Sequence, residues 1–136
     1  MSSKTNIDAF NHAAAIVFAV LYESFPVPAG LQYGDNSEFA EGPTREVYEG
    51  TVEWLEAEGY IRIQKTLKAL GHQSSIYHNA ILTTRGLEVL RAVPESVKEK
   101  TPLGERISKA LKDGGKDLIA GLIKEALSAA VRTYAS

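Results

Sequence analysis

No cysteine occurs among the 136 residues. That excludes disulfide staples, thiolate metal ligands and thiol nucleophiles. It suits a reducing compartment, so the expected location is cytoplasmic. Long hydrophobic runs are missing too. The longest, Ala13–Tyr22, falls well short of the roughly 20 residues that cross a bilayer, so no membrane partner is expected. Nor does it read as a secretion signal. Lys4 precedes it, but Asp8 and His12 interrupt the approach, and Pro26 and Pro28 stand where a small-residue cleavage site belongs.

The chemistry of catalysis is equally sparse. His12, His72 and His78 have no metal-ligand spacing and no carboxylate cluster beside them. Gly114-Gly115-Lys116 lacks the frame of a phosphate-binding loop. No Ser/His/Asp arrangement follows from the spacing. The expectation is a chain that is not an enzyme and carries no metal or cofactor.

What is present is ordinary globular material, 44% hydrophobic and 24% charged. A chain of this length buries a core without staples. The net charge of −2 conceals a split. Residues 1–60 hold 10 acidic and 2 basic side chains, and residues 61–136 hold 13 basic and 7 acidic. Such a dipolar chain suits a partner of either sign, or attraction between its own halves.

A first helix is predicted over Ile7–Ser24, with Thr5 and Asp8 as a capping-box-like start. Ile7, Phe10, Ala14, Val17, Leu21 and Phe25 keep helical spacing. Its middle is apolar on every side, which requires protein all round it. Residues 26–43 read as a structured loop, with at most one helical turn near Ser37–Ala40. Thr44 caps a second helix ending at Gly59. At about 100° per residue, Val47, Tyr48, Thr51, Val52, Trp54 and Leu55 share one face. Glu46, Glu49, Glu53 and Glu56 share the other.

Tyr60–Thr66 alternates, with Ile61 and Ile63 on the core side. Leu67–Ser74 is a hairpin tip and Ser75–Leu82 the returning strand. Thr83 or Thr84 caps a helix carrying Leu87, Leu90 and Val93 to Pro94. A final helix starts at Pro102 with Leu103, Ile107 and Leu111. It kinks or breaks at Gly114-Gly115, then continues.

The order helix, strand, wing and strand, followed by Leu82-Thr83-Thr84-Arg85-Gly86-Leu87, resembles the winged helix-turn-helix superfamily. So does the segment Glu53-Trp54-Leu55-Glu56-Ala57-Glu58-Gly59-Tyr60-Ile61. The resembling region is about Thr44–Val93, with Ile7–Ser24 as the first helix. The resemblance implies that Thr44–Glu58 is the recognition helix and Leu67–Ser74 the wing tip. The exposed face of that helix, however, carries Glu46, Glu49, Glu53 and Glu56. Affinity for duplex DNA comes largely from neutralising phosphates. One glutamate can accept from a cytosine amino group, whereas four carboxylates in a groove repel. Three readings stand side by side: a plain solvated face, an acidic docking surface for a basic protein partner, and direct base reading. Arg62, Lys65, Lys68 and His72, on or near the wing, are candidate nucleic-acid contacts. Lys98, Lys100, Arg106, Lys109, Lys112 and Lys116 follow. No aromatic residues are interleaved with them to stack bases.

The last helix has an apolar arc wider than one contact needs. From Lys116 its polar side chains fall within about 100°, and a helix on one domain needs a stripe only somewhat wider than that. Leu118, Ile119, Leu122, Ile123, Ala126, Leu127 and Ala130 are therefore candidate homodimerisation residues.

The expected fold is α+β and mainly helical: a winged helix with a β-hairpin wing, over residues 1–100, and a C-terminal amphipathic dimerisation helix, over 101–136. The expected function is a non-catalytic interaction or regulatory module, acting as a homodimer, whose acidic helix face docks a protein partner. The alternative is a DNA-binding transcription regulator working through the basic wing and C-terminal region.

Overall fold

A segment with no polar face has to be enclosed, and the fold is arranged around one. In the computed structural model, residues 6–34, 43–71, 73–93, 100–114 and 116–135 are described. Helix α1 (Asn6–Ser24) buries seven consecutive residues, Ala13 to Ala19, and then Leu21. Around it lie β1 (Ala29–Gln32), α2 (Arg45–Ala57), β2 (Ile61–Leu67), β3 (Ile76–Leu82), α3 (Thr84–Arg91), α4 (Leu103–Asp113) and α5 (Lys116–Ala135). The described residues are thus α+β and mostly helical. Helix α1 packs against all four other helices and also meets β1 and β3. One apolar cluster joins Val17 and Phe18 to Leu55, Leu90, Ile107 and Ile123, so residues before and after position 100 share a core.

The sheet is antiparallel in the order β1-β3-β2. Strands β2 and β3 form the expected hairpin, with Ile61 opposite Leu82, Ile63 opposite Ala80 and Leu67 opposite Ile76. Ile61 is buried, and Ile63 packs against the core. Strand β1 lies inside the segment expected to be loop. Its four residues, Ala-Gly-Leu-Gln, carry no strand signal of their own; β3 supplies the pairing, with Leu31 opposite Tyr77 and Gln32 opposite Ile76. The helical turn expected near Ser37–Ala40 lies outside the described residues.

Alternation breaks once in β3. Asn79 adopts φ 54°, and the pairing with β1 shifts register between Ala29 and Leu31. Leu82 and Ala80 face the core, His78 and Asn79 are both exposed, and Tyr77 faces in again. The extra residue changes which side the strand presents.

Two glycines set the connections. A Cβ on Gly86 would lie 2.2 Å from the Tyr60 carbonyl oxygen, so α3 sits against the start of β2 only because that position is bare. The Thr83 side chain caps α3 by accepting from the Gly86 N–H at 3.1 Å. Its hydroxyl donates to the Gly59 carbonyl at 2.5 Å. Gly114, at φ 74°, ends α4 in a left-handed cap. The expected discontinuity there is a full break, and α5 folds back on α4 and α1.

Candidate docking surface on the second helix

Thr44 starts α2, its hydroxyl oxygen accepting from the Val47 N–H at 3.3 Å. Tyr48, Thr51, Val52 and Leu55 form the buried face. The remaining surface divides into a polar flank and an aromatic flank.

The polar flank holds the hairpin. The Arg45 guanidinium donates to the carbonyls of Gln73 at 2.6 Å and Gly71 at 3.1 Å. The Glu49 carboxylate accepts the Ser75 N–H at 2.8 Å. The Glu53 carboxylate accepts the Tyr77 hydroxyl at 3.0 Å and pairs with the Lys68 ammonium at 2.5 Å. Positions 45, 49 and 53 are successive i, i+4 neighbours, so one ridge of α2 reaches tip, turn and strand together. The Lys68 ammonium holds the Glu53 carboxyl below its ordinary range; partial burial opposes this and the Tyr77 hydroxyl reinforces it. Burial pushes the Tyr77 hydroxyl well up, and its bond to Glu53 pushes the same way.

The aromatic flank faces α1. Trp54 meets Phe10 edge-on at 5.3 Å between centroids and stacks on Tyr60 at 6.1 Å. The Arg85 guanidinium sits 4.4 Å above the Tyr60 ring and donates to the Glu58 carbonyl. Trp54 remains 40% exposed, and Ile7, one turn before Phe10 on α1, is 68% exposed. Trp54 is expected on one face with Leu55, yet it is far more exposed than Leu55. It stands at the edge of that arc, next to Val47, which is the signal that marks it as a rim residue.

The four glutamates expected to share one outward face are divided by the structure. Glu46 and Glu56 are exposed. Glu49 and Glu53 are half-buried against the hairpin, because it curls over that side of the helix. The basic residues of the hairpin are not gathered either. Arg62 and Lys65 are exposed, Lys68 is turned back onto Glu53, and His72 lies outside the described residues. The tip projects Leu70, 87% exposed.

The expected dimer residues are mostly used within the chain. Ile119, Leu122, Ile123 and Ala126 are buried, and Leu127 packs on the core. Leu118 is 53% exposed, and the side chain of Ala130 lies outside the described residues. Helix α5 meets α1 along part of its surface. Helices α4 and α3 supply the second surface, so a second copy is not needed to bury these four side chains.

Among the described residues, no helix is long and apolar enough to cross a membrane. Compared with known proteins, the chain matches no family model, and no curated protein or solved structure matches it.

Proposed function

We propose that this chain is a non-catalytic winged-helix module that docks a basic, amphipathic protein segment on the outer side of α2. The observation that carries this reading is Trp54. It is a large aromatic ring, 40% exposed, beside the 68% exposed Ile7. It lies in the half of the chain that is net −8. Buried aromatic anchors dominate docking energies, and tryptophan is enriched among them. Glu46, Glu56 and Glu58 are exposed on the same helix or its cap and supply complementary charge for a lysine-rich partner. The winged-helix part of the proposal draws support from the hairpin between α2 and α3 and from the third strand beside β3. Homodimerisation stands on narrower ground, the exposed Leu118 of α5.

The test uses Trp54 itself, the single tryptophan. A lysine-rich amphipathic peptide should shift its emission to the blue, with affinity falling as salt rises. Trp54→Ala, which has no tryptophan left to report, should show no peptide binding by calorimetry while circular dichroism shows the fold intact. Absence of binding at low salt would refute the docking surface. Sedimentation of the unmodified protein decides the dimer.

A second reading has one observation in its favour. Leu70 projects from the wing tip, with Lys65 exposed on the same hairpin. Apolar wedges flanked by basic residues enter minor grooves. Salt-dependent binding of random duplex DNA, lost on Leu70→Ala with Lys65→Gln, would favour DNA over a protein partner.

A further inference from the structure

A groove of about 590 Å³ opens between the sheet and α3, away from α2's outer side. Phe25 just after α1, Ile81 from β3 and Leu87 from α3, all half-buried, line it together with Thr83 and Thr84. Two exposed arginines, Arg62 on β2 and Arg91 on the last turn of α3, stand at its rim with Glu88. Two other arginines are committed: Arg45 to two hairpin carbonyls, and Arg85 to the Glu58 carbonyl and the Tyr60 ring. Arg62 and Arg91 make no hydrogen bond or ion pair among the described residues, although Arg91 lies close enough to the Tyr22 hydroxyl to act on it electrostatically.

An apolar trough with a few polar groups at its edge is the ordinary build of a small-molecule site, and the volume lies within the usual range of about 300–1,000 Å³. Guanidinium groups match carboxylates in shape as well as charge, taking them through two parallel hydrogen bonds. Glu88 lowers the net positive charge at the rim to +1. That charge suits a single carboxylate better than a phosphate dianion or a nucleic-acid backbone.

We propose that this groove binds a small amphipathic carboxylate, its apolar body on Phe25, Ile81 and Leu87 and its head group held by Arg62 and Arg91. A module that docks a partner through α2 would thereby gain a ligand site on another face. The inference does not depend on the docking surface, since Trp54 is not part of the groove.

Calorimetry with the full chain tests it, using octanoate as probe and octan-1-ol, acetate and inorganic phosphate as comparisons. Octanoate should bind with one-to-one stoichiometry. The alcohol lacks the charge and acetate lacks the tail, so each should bind at least about tenfold more weakly. Arg62→Gln and Arg91→Gln should each cost octanoate about tenfold, with circular dichroism unchanged because both side chains are exposed and form no ion pair among the described residues. Glu88→Gln should strengthen binding. Amide shifts on titration should centre on residues 25, 81 and 87, and Trp54→Ala should leave them intact. The proposal is overturned by equal binding of the alcohol, by undiminished binding to both arginine variants, by phosphate binding as tightly as octanoate, or by no octanoate binding at all.

Discussion

Along α2, the flank toward the hairpin is held by charge and hydrogen bonds, and the flank toward α1 by packed rings. The polar flank contains Arg45, Glu49 and Glu53 and reaches three points of the hairpin. The aromatic flank contains Trp54 and touches Phe10 and Tyr60. Exposed ion pairs contribute about 0–1 kcal/mol because water and salt screen them. Burying apolar surface contributes roughly 25 cal/mol per Å² and is not screened. The polar flank therefore fixes where the hairpin sits more than how stable the chain is. The aromatic flank does the reverse, and leaves part of one ring in water.

The largest expected effect calibrates both flanks. Leu55→Ala removes a fully buried side chain between them and should cost about 2–5 kcal/mol in urea unfolding. Trp54→Ala should cost less, about 2 kcal/mol, since part of the ring is already in water. A loss equal to that of Leu55→Ala would mean that the ring is a core residue and not a rim. Tyr77→Phe takes the hydroxyl from Glu53 and should cost about 1.5 kcal/mol, near the lower end for hydrogen bonds to charged groups. Lys68→Met should stay within about 1 kcal/mol, and that cost should vanish near 1 M salt, where the screening length is about 3 Å. A salt-independent loss at Lys68 would break the distinction between the flanks.

The smallest effect is the pH response of the polar flank. Glu53 is held below its ordinary value of 4.5, so its contribution is complete above that value and is lost as pH falls through the lowered one. Tyr77 is raised above its ordinary 10.0, so its contribution is complete below 10.0 and is lost as pH rises beyond it. The hairpin should be held throughout the neutral range. Acid should loosen it selectively, seen as faster amide exchange at residues 75 and 77 while residues 52 and 55 stay protected.

Elements with a strong internal signal were legible from sequence. Thr44 and Thr83 announce helix starts, the Ile61/Ile63 alternation gives β2, and the unbroken apolar middle of α1 requires enclosure. Strand β1 was not legible, because its pairing is dictated by β3. The division of the glutamates was hidden for a similar reason. A helical wheel gives angles around α2, but only the twist of the hairpin decides which angle it covers. Asn79 adds a further step: by turning the strand it sends Tyr77, and not His78, toward Glu53. The wheel gives the apolar arc of α5, but only the fold-back at Gly114 determines that α4 helps to cover it. The groove at Arg62 and Arg91 joins residues from β2 and α3, and no spacing rule connects them.

The enclosure of α1 has a consequence during synthesis. Ile16 and its neighbours leave the ribosome early, whereas their cover from Ile119, Ile123 and Ala126 arrives about a hundred residues later. At roughly 5–20 residues per second, that is about 5–20 s during which the most apolar stretch of the chain has no native wall on that side. The nascent protein should therefore be a chaperone client until its final helix emerges. Cutting the chain at Gly114 should leave α1 permanently uncovered, giving aggregation and not a smaller folded domain.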